Sequence, residues 1–139
     1  MAAVLPTAVL FAWAVGVLVL FQYLTPRRAV LVAYLSGDTG VHAEMRTVEH
    51  DLYRVNLMQL NFGVTALSPQ AAAYVADTLV EPASVILSHV NEAATENGKL
   101  RPSTRSAAFV ALVKGRPVYP ALSGRTMEFD GSGKCVAGC

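Results

Sequence analysis

The sequence predicts a single N-terminal transmembrane helix followed by a small, mostly α-helical (α+β) extramembrane domain, with a C-terminal β-hairpin as a further option. Three observations carry that expectation: an uncharged apolar run from Ala2 to Leu24, apolar residues spaced by three and four between Val41 and Phe62, and two short apolar runs flanking the turn Lys114–Pro117. The chain accordingly divides into an anchor at 1–25, an extramembrane domain at 26–122 and a Gly-rich extended tail at 123–139.

The run AAVLPTAVLFAWAVGVLVLFQYL holds no ionisable side chain. A helix rises ~1.5 Å per residue, so about 20 such residues cover the ~30 Å of bilayer hydrocarbon. No Lys or Arg precedes the run, and it exceeds the roughly 7–15 residues of a signal-peptide core, so it reads as a retained anchor. Arg27 and Arg28 follow at once and place the downstream part on the cytoplasmic or matrix side. Tyr23, Arg27 and Arg28 are the expected membrane-interface residues, while Ala12 and Gly16 offer a small-residue face to a neighbouring helix.

Charge excludes one class of partner. A formal net charge of +1 leaves no basic excess for nucleic acid. Charged residues make up 15% of the chain, against about 25% in typical soluble domains. That shortage predicts that other proteins or lipid cover part of the surface. The two cysteines, Cys135 and Cys139, form a C-x-x-x-C pair that matches neither a zinc-site nor a redox spacing. They read as thiols in a reducing compartment, with a terminal disulfide as the alternative on an oxidising side.

Element by element, Ala29–Leu35 suits a buried strand slightly better than a short helix, and Ser36–Gly40 is a loop. A long helix is expected over His42–Phe62, apolar along Val41, Met45, Val48, Leu52, Val55, Met58 and Phe62. Leu57 and Leu60 fall on its opposite side and are expected to contact a partner. Ser68-Pro69 starts a second helix, Ile86–Ala94 lies in a third closed by Asn97-Gly98, and Ala107–Leu122 reads as a hairpin.

Three patterns invite a chemical reading. His42, Glu49, His50 and Asp51 come nearest to a metal or acid–base cluster, but on a helix the two histidines stand ~12 Å apart along the axis. They read as a polar face. His89, alone in the third helix, reads as an ordinary hydrogen-bonded residue. Gly37-Asp38-Thr39-Gly40 occupies a phosphate-loop position only if it follows a strand and precedes a helix, and it lacks a third glycine and a lysine. No catalytic, cofactor-binding or metal-binding residue is therefore assigned.

The resulting expectation is a non-catalytic accessory subunit of a large membrane complex, of the mitochondrial inner membrane by analogy with respiratory-chain or ATP synthase assemblies. Its partners would be the other subunits and the bilayer. The rival is a membrane-tethered enzyme or ligand-binding domain using the Gly37–Gly40 loop, and a bacterial inner-membrane or thylakoid protein would look the same.

Overall fold

Backbone hydrogen bonding organises residues 29–139, those that the computed structural model describes, around four parallel strands. They are β1 (Ala33–Leu35), β2 (Leu57–Asn61), β3 (Ser84–Ser88) and, further along, β6 (Val118–Pro120), and they lie side by side in chain order. One row of the register runs Leu35, Gln59, Ile86, Tyr119 across the whole sheet. The crossovers carry α1 (Met45–Leu52), α2 (Pro69–Tyr74, continuing as Val75–Val80) and α3 (Arg105–Leu112). Two antiparallel pairs complete the fold: β4 (Thr95–Glu96) with β5 (Lys99–Leu100), and β7 (Glu128–Phe129) with β8 (Cys135–Ala137).

Local chemistry explains the starts and stops. Ser68 caps α2 by accepting the Ala71 N–H at 3.2 Å, with Pro69 in the first turn, as the sequence predicts. Thr104 caps α3 in the same way from Ala107. Both α1 and the second half of α2 are wound wide, in π geometry: the Tyr53 N–H donates to the Val48 carbonyl at 2.9 Å and the Glu81 N–H to Ala76 at 3.1 Å. The chain then turns through left-handed Arg54 and Glu81.

All three helices pack on one face of the sheet. Met45 of α1, Val75, Ala76 and Val80 of α2 and Phe109 of α3 share one cluster with Met58, Leu60, Val85 and Leu87. The rings of Phe62 and Phe109 stand 5.2 Å apart within it. Strand side chains alternate, so the intervening residues point the other way. On that second face the C-terminal hairpin covers the β6 side, where Phe129 meets Tyr119 edge-on at 5.9 Å. The β1 side stays open, with Ala33 exposed and Leu35 66% exposed.

Asn56 binds the hairpin to the opposite edge of the sheet. Its amide accepts from the Val32 N–H at 3.0 Å and donates to the carbonyls of Val30 and Gly131 at 2.9 and 3.0 Å. Gly133, at φ +79°, packs so close that a Cβ there would fall 2.1 Å from the Asn56 carbonyl oxygen. Cys135 and Cys139 are joined in a disulfide. The tail therefore adopts the alternative state considered for its cysteines.

Several expectations are corrected. The described part is a small α/β fold with a parallel sheet rather than a mostly helical domain. Among the described residues no helix is long and apolar enough to cross a membrane. The Ala2–Leu24 run, and with it Ala12, Gly16, Tyr23, Arg27 and Arg28, lies outside them. The long helix over His42–Phe62 is α1 plus β2, and the expected third helix begins as β3. The 107–122 hairpin is instead a helix and a strand parallel to β3, Val118 pairing with Val85. Leu57 and Leu60 accordingly sit in β2, 7% and 0% exposed, covered by this chain itself.

Glu92 holds α3 in place and yields a pH prediction. Its Oε1 accepts from the Ser106 N–H and hydroxyl, both at 2.8 Å, and its Oε2 from the Arg105 N–H at 3.1 Å. Burial alone would push this carboxyl up, but the hydrogen bonds from Ser106 and Arg105 outweigh it and hold the carboxyl below the usual glutamate range. A group depressed in the folded state stabilises above its unfolded pKa, and that contribution disappears as the pH falls through the folded value. Glu92→Gln should cost about 1–2 kcal/mol in denaturant unfolding at pH 7. The difference from the parent chain should shrink steadily once the pH drops below the glutamate range.

Candidate functional site

Because β1, β2 and β3 run in one direction, the residues that follow each strand meet at a single edge. In open α/β sheets that carboxyl edge is where ligands bind. After β1 comes the loop Ser36–Gly40, β2 ends at Asn61 and β3 is followed by His89. Three polar side chains converge there: Asp38, Asn61 and His89.

The loop is fixed from below. Ser36, 4% exposed, donates its N–H to the Gln59 carbonyl at 3.1 Å and accepts the Asn61 N–H on its hydroxyl at 2.8 Å. The Thr39 hydroxyl closes the turn onto the Ser36 carbonyl at 3.0 Å. Gly37 is left-handed at φ +57°, a conformation that favours glycine. Nearby, burial pushes the Tyr34 phenol up, partly opposed by its hydrogen bond with Thr39.

Asn61 is nearly buried and its amide has one orientation. Its Oδ1 accepts the Gly63 N–H at 3.0 Å, which turns Nδ2 toward the edge. Nδ2 donates to Asp38 Oδ1 and lies 3.0 Å from His89 Nδ1. Gly63 leaves the room this needs, since a Cβ there would stand 3.1 Å from Asn91 Oδ1 and 3.3 Å from Asn61 Oδ1. His89 is held at φ +50°, an unfavourable backbone state for a residue with a side chain. Such strain needs support from its surroundings.

His89 Nδ1 and Asp38 Oδ1 face each other at 3.2 Å, with side chains 54% and 69% exposed. Nδ1 cannot accept the Asn61 proton and donate to Asp38 at once. With the amide fixed, the neutral ring carrying its proton on Nε2 satisfies Asn61 and leaves two lone-pair-bearing atoms opposed. A positive charge between them removes the conflict.

The groups singled out from sequence fare differently. The Gly37–Gly40 loop does follow a strand and precede a helix, but its exposed Asp38 carboxylate has the wrong sign for a phosphate. His50 is directed to the Val80 carbonyl at 3.1 Å, Asp51 lies 3.6 Å from Arg46, and Arg46 also pairs with Glu81, so this polar face ties α1 to α2. Arg46 holds the Glu81 carboxyl below its usual range. His42 pairs separately with Glu44 at 3.3 Å. Sequence reasoning missed Asp38 and Asn61 as site residues and placed His89 in a helix. The available signal was one polar residue soon after each of three short apolar runs. Among the described residues no group of three or more His, Cys, Asp or Glu side chains is placed to hold a metal.

No protein-family model matches the chain, and no curated protein matches it in sequence.

Asn61→Ala should destabilise the chain by about 1–3 kcal/mol in denaturant unfolding, because the Gly63 N–H is left unpaired in a buried position. In the same variant the imidazole NMR signals of His89 should broaden or shift as the ring loses its clamp.

Proposed function

We propose that this chain carries part of a divalent-metal site, Asp38 Oδ1 and His89 Nδ1 being two of the ligands, and that the site serves a metal-assisted hydrolytic reaction. The observation that carries the reading is the opposed acceptor pair at the sheet's carboxyl edge, 3.2 Å apart beside an amide that cannot flip. Two donors bound at about 2.0–2.2 Å to one ion, at tetrahedral or octahedral angles, stand roughly 2.8–3.6 Å apart. The pair fits that spacing. Asn61 acts as a positioning residue, its Nδ2 standing 3.0 Å from His89 Nδ1 and hydrogen-bonded to Asp38 Oδ1.

Two protein ligands leave coordination positions for water, substrate and groups supplied by another surface. An ion held by Asp38 and His89 would supply Lewis-acid chemistry there, activating water and polarising the bond to be hydrolysed. The exposure of both ligands keeps those positions reachable. This is the enzyme alternative of the sequence reading, relocated to three strand ends.

The test is a titration of the full chain with Mn2+ and Zn2+, followed by calorimetry and, for Mn2+, by paramagnetic broadening of the His89 ring signals. Asp38→Asn and His89→Asn should each weaken binding by about 10- to 100-fold, and His42→Asn should leave it unchanged. Equal affinity in all four chains would exclude the site.

The accessory-subunit reading keeps support from a different observation. Parallel sheets are normally covered on both faces, whereas Val30, Leu31, Ala33 and Leu35 remain exposed beside one uncovered stretch. A protein layer seated there would complete the sheet and stand next to the metal ligands. If so, Leu35→Lys should abolish association, read by sedimentation, while leaving the denaturant midpoint within about 0.5 kcal/mol of the parent.

A further inference from the structure

Beyond Asp38 and His89 the carboxyl edge opens into two adjoining cavities, of which the farther is lined by cations. The nearer, of about 290 Å³, is lined by Ser88, His89, Thr95, Pro120 and Ser123. Glu92 also borders it, with both carboxylate oxygens committed to the start of α3. The farther, of about 390 Å³, is lined by Lys99, Tyr119, Pro120, Leu122, Arg125 and Met127 among others. Pro120 forms a wall of both. It pairs with Leu87, two residues before His89, so the second cavity begins one strand away from the site.

No acidic side chain lines the farther cavity. Among the described residues neither Lys99 nor Arg125 lies within 4.0 Å of a carboxylate, whereas Arg46 and Arg116 are both paired. Two unneutralised cations beside a phenol ring, a leucine and a thioether make a place for an oxyanion attached to an apolar body. The guanidinium offers a planar fork of donors and the ammonium a compact charge.

We propose that this cavity holds the phosphate or carboxylate of a small organic anion, and that its position across Pro120 presents the rest of that molecule to the ion at Asp38 and His89. The inference rests on the metal reading for the second half of that statement only. It assigns the substrate class as an organic oxyanion and makes Lys99 and Arg125 specificity residues.

The probe is phenyl phosphate, with benzoate, inorganic phosphate and neutral phenol beside it, titrated into the full chain and followed by backbone NMR shifts. Phenyl phosphate or benzoate should move the signals of Lys99, Tyr119 and Arg125, and phenol should not. The better of the two shows which oxyanion the cavity prefers. Lys99→Gln with Arg125→Gln should weaken that binding by at least about tenfold. Asp38→Asn should leave it unchanged. With Mn2+ added, the bound ligand's ring protons should broaden in the parent chain and stay sharp in Asp38→Asn. Undiminished binding in the double variant, equal binding of phenol, or no binding of either anion overturns the anion cavity. Mn2+ bound without broadening the ligand overturns the link across Pro120. A chain that binds the anion and fails to bind Mn2+ keeps the cavity and loses the metal reading, so the two failures are distinguishable.

Discussion

Shared strand direction is the constraint from which the rest of this structure follows. Antiparallel neighbours would send Asp38, Asn61 and His89 to alternating ends of the sheet. Three parallel strands in chain order bring all three to one end, and the crossovers that parallel pairing requires supply the helices that bury Met58, Leu60, Val85 and Leu87. The same polarity gathers the strand beginnings at the far end. There Asn56, the residue before β2, does for structure what Asn61 does for the site: one amide satisfies three backbone groups on β1's approach and on the C-terminal hairpin. The sheet is braced at one edge, and its opposite edge is free to keep polar groups in a frustrated arrangement.

That frustration separates Asp38 and His89 from the ion pairs elsewhere. The Asp77 carboxylate meets Arg116 at 3.0 Å, largely buried, and the same guanidinium donates to the Pro82 carbonyl at 2.8 Å, so donors and acceptors match. Arg46 likewise bridges Thr78 and Glu81 with donors only. At the carboxyl edge the Asn61 amide NH2 turns one proton to Asp38 and the other to His89, which leaves two acceptors facing each other at 3.2 Å beside a left-handed histidine backbone. A left-handed backbone held next to an opposed acceptor pair points to a role outside folding.

Much of the local punctuation was legible in the sequence, and the long-range order was not. Ser68-Pro69 read correctly as a helix start, Ser36–Gly40 as a loop and Ala29–Leu35 as containing a strand. The boundary between α1 and β2 was hidden because the turn passes through Arg54, a left-handed residue that is neither glycine nor asparagine. Glu81 conceals a second turn in the same way, with only Pro82 to mark it. β2 and β3 are covered on both faces over much of their length, so their apolar residues lost the alternation of a half-exposed strand, and Val55, Met58 and Phe62 fell by chance at helical spacing. Asp38, Asn61 and His89 are up to 51 residues apart, and only the parallel register brings them together.

The open side of the sheet and the exposure of Asp38 share a cause. The helices occupy a single face because each crossover steps to the next strand in the same direction. The second face is then covered only as far as the C-terminal hairpin reaches, from Tyr119 inward, and it ends before β1. Asp38 lies in the loop that follows β1, so of the Asp38–His89 pair the residue nearer the uncovered side is also the more exposed. A layer added against Leu35 would remove apolar surface from water and approach Asp38 in the same step. Burying that carboxylate without a cation would be costly, so under the proposed metal reading a layer on this face and an ion at Asp38 would favour each other.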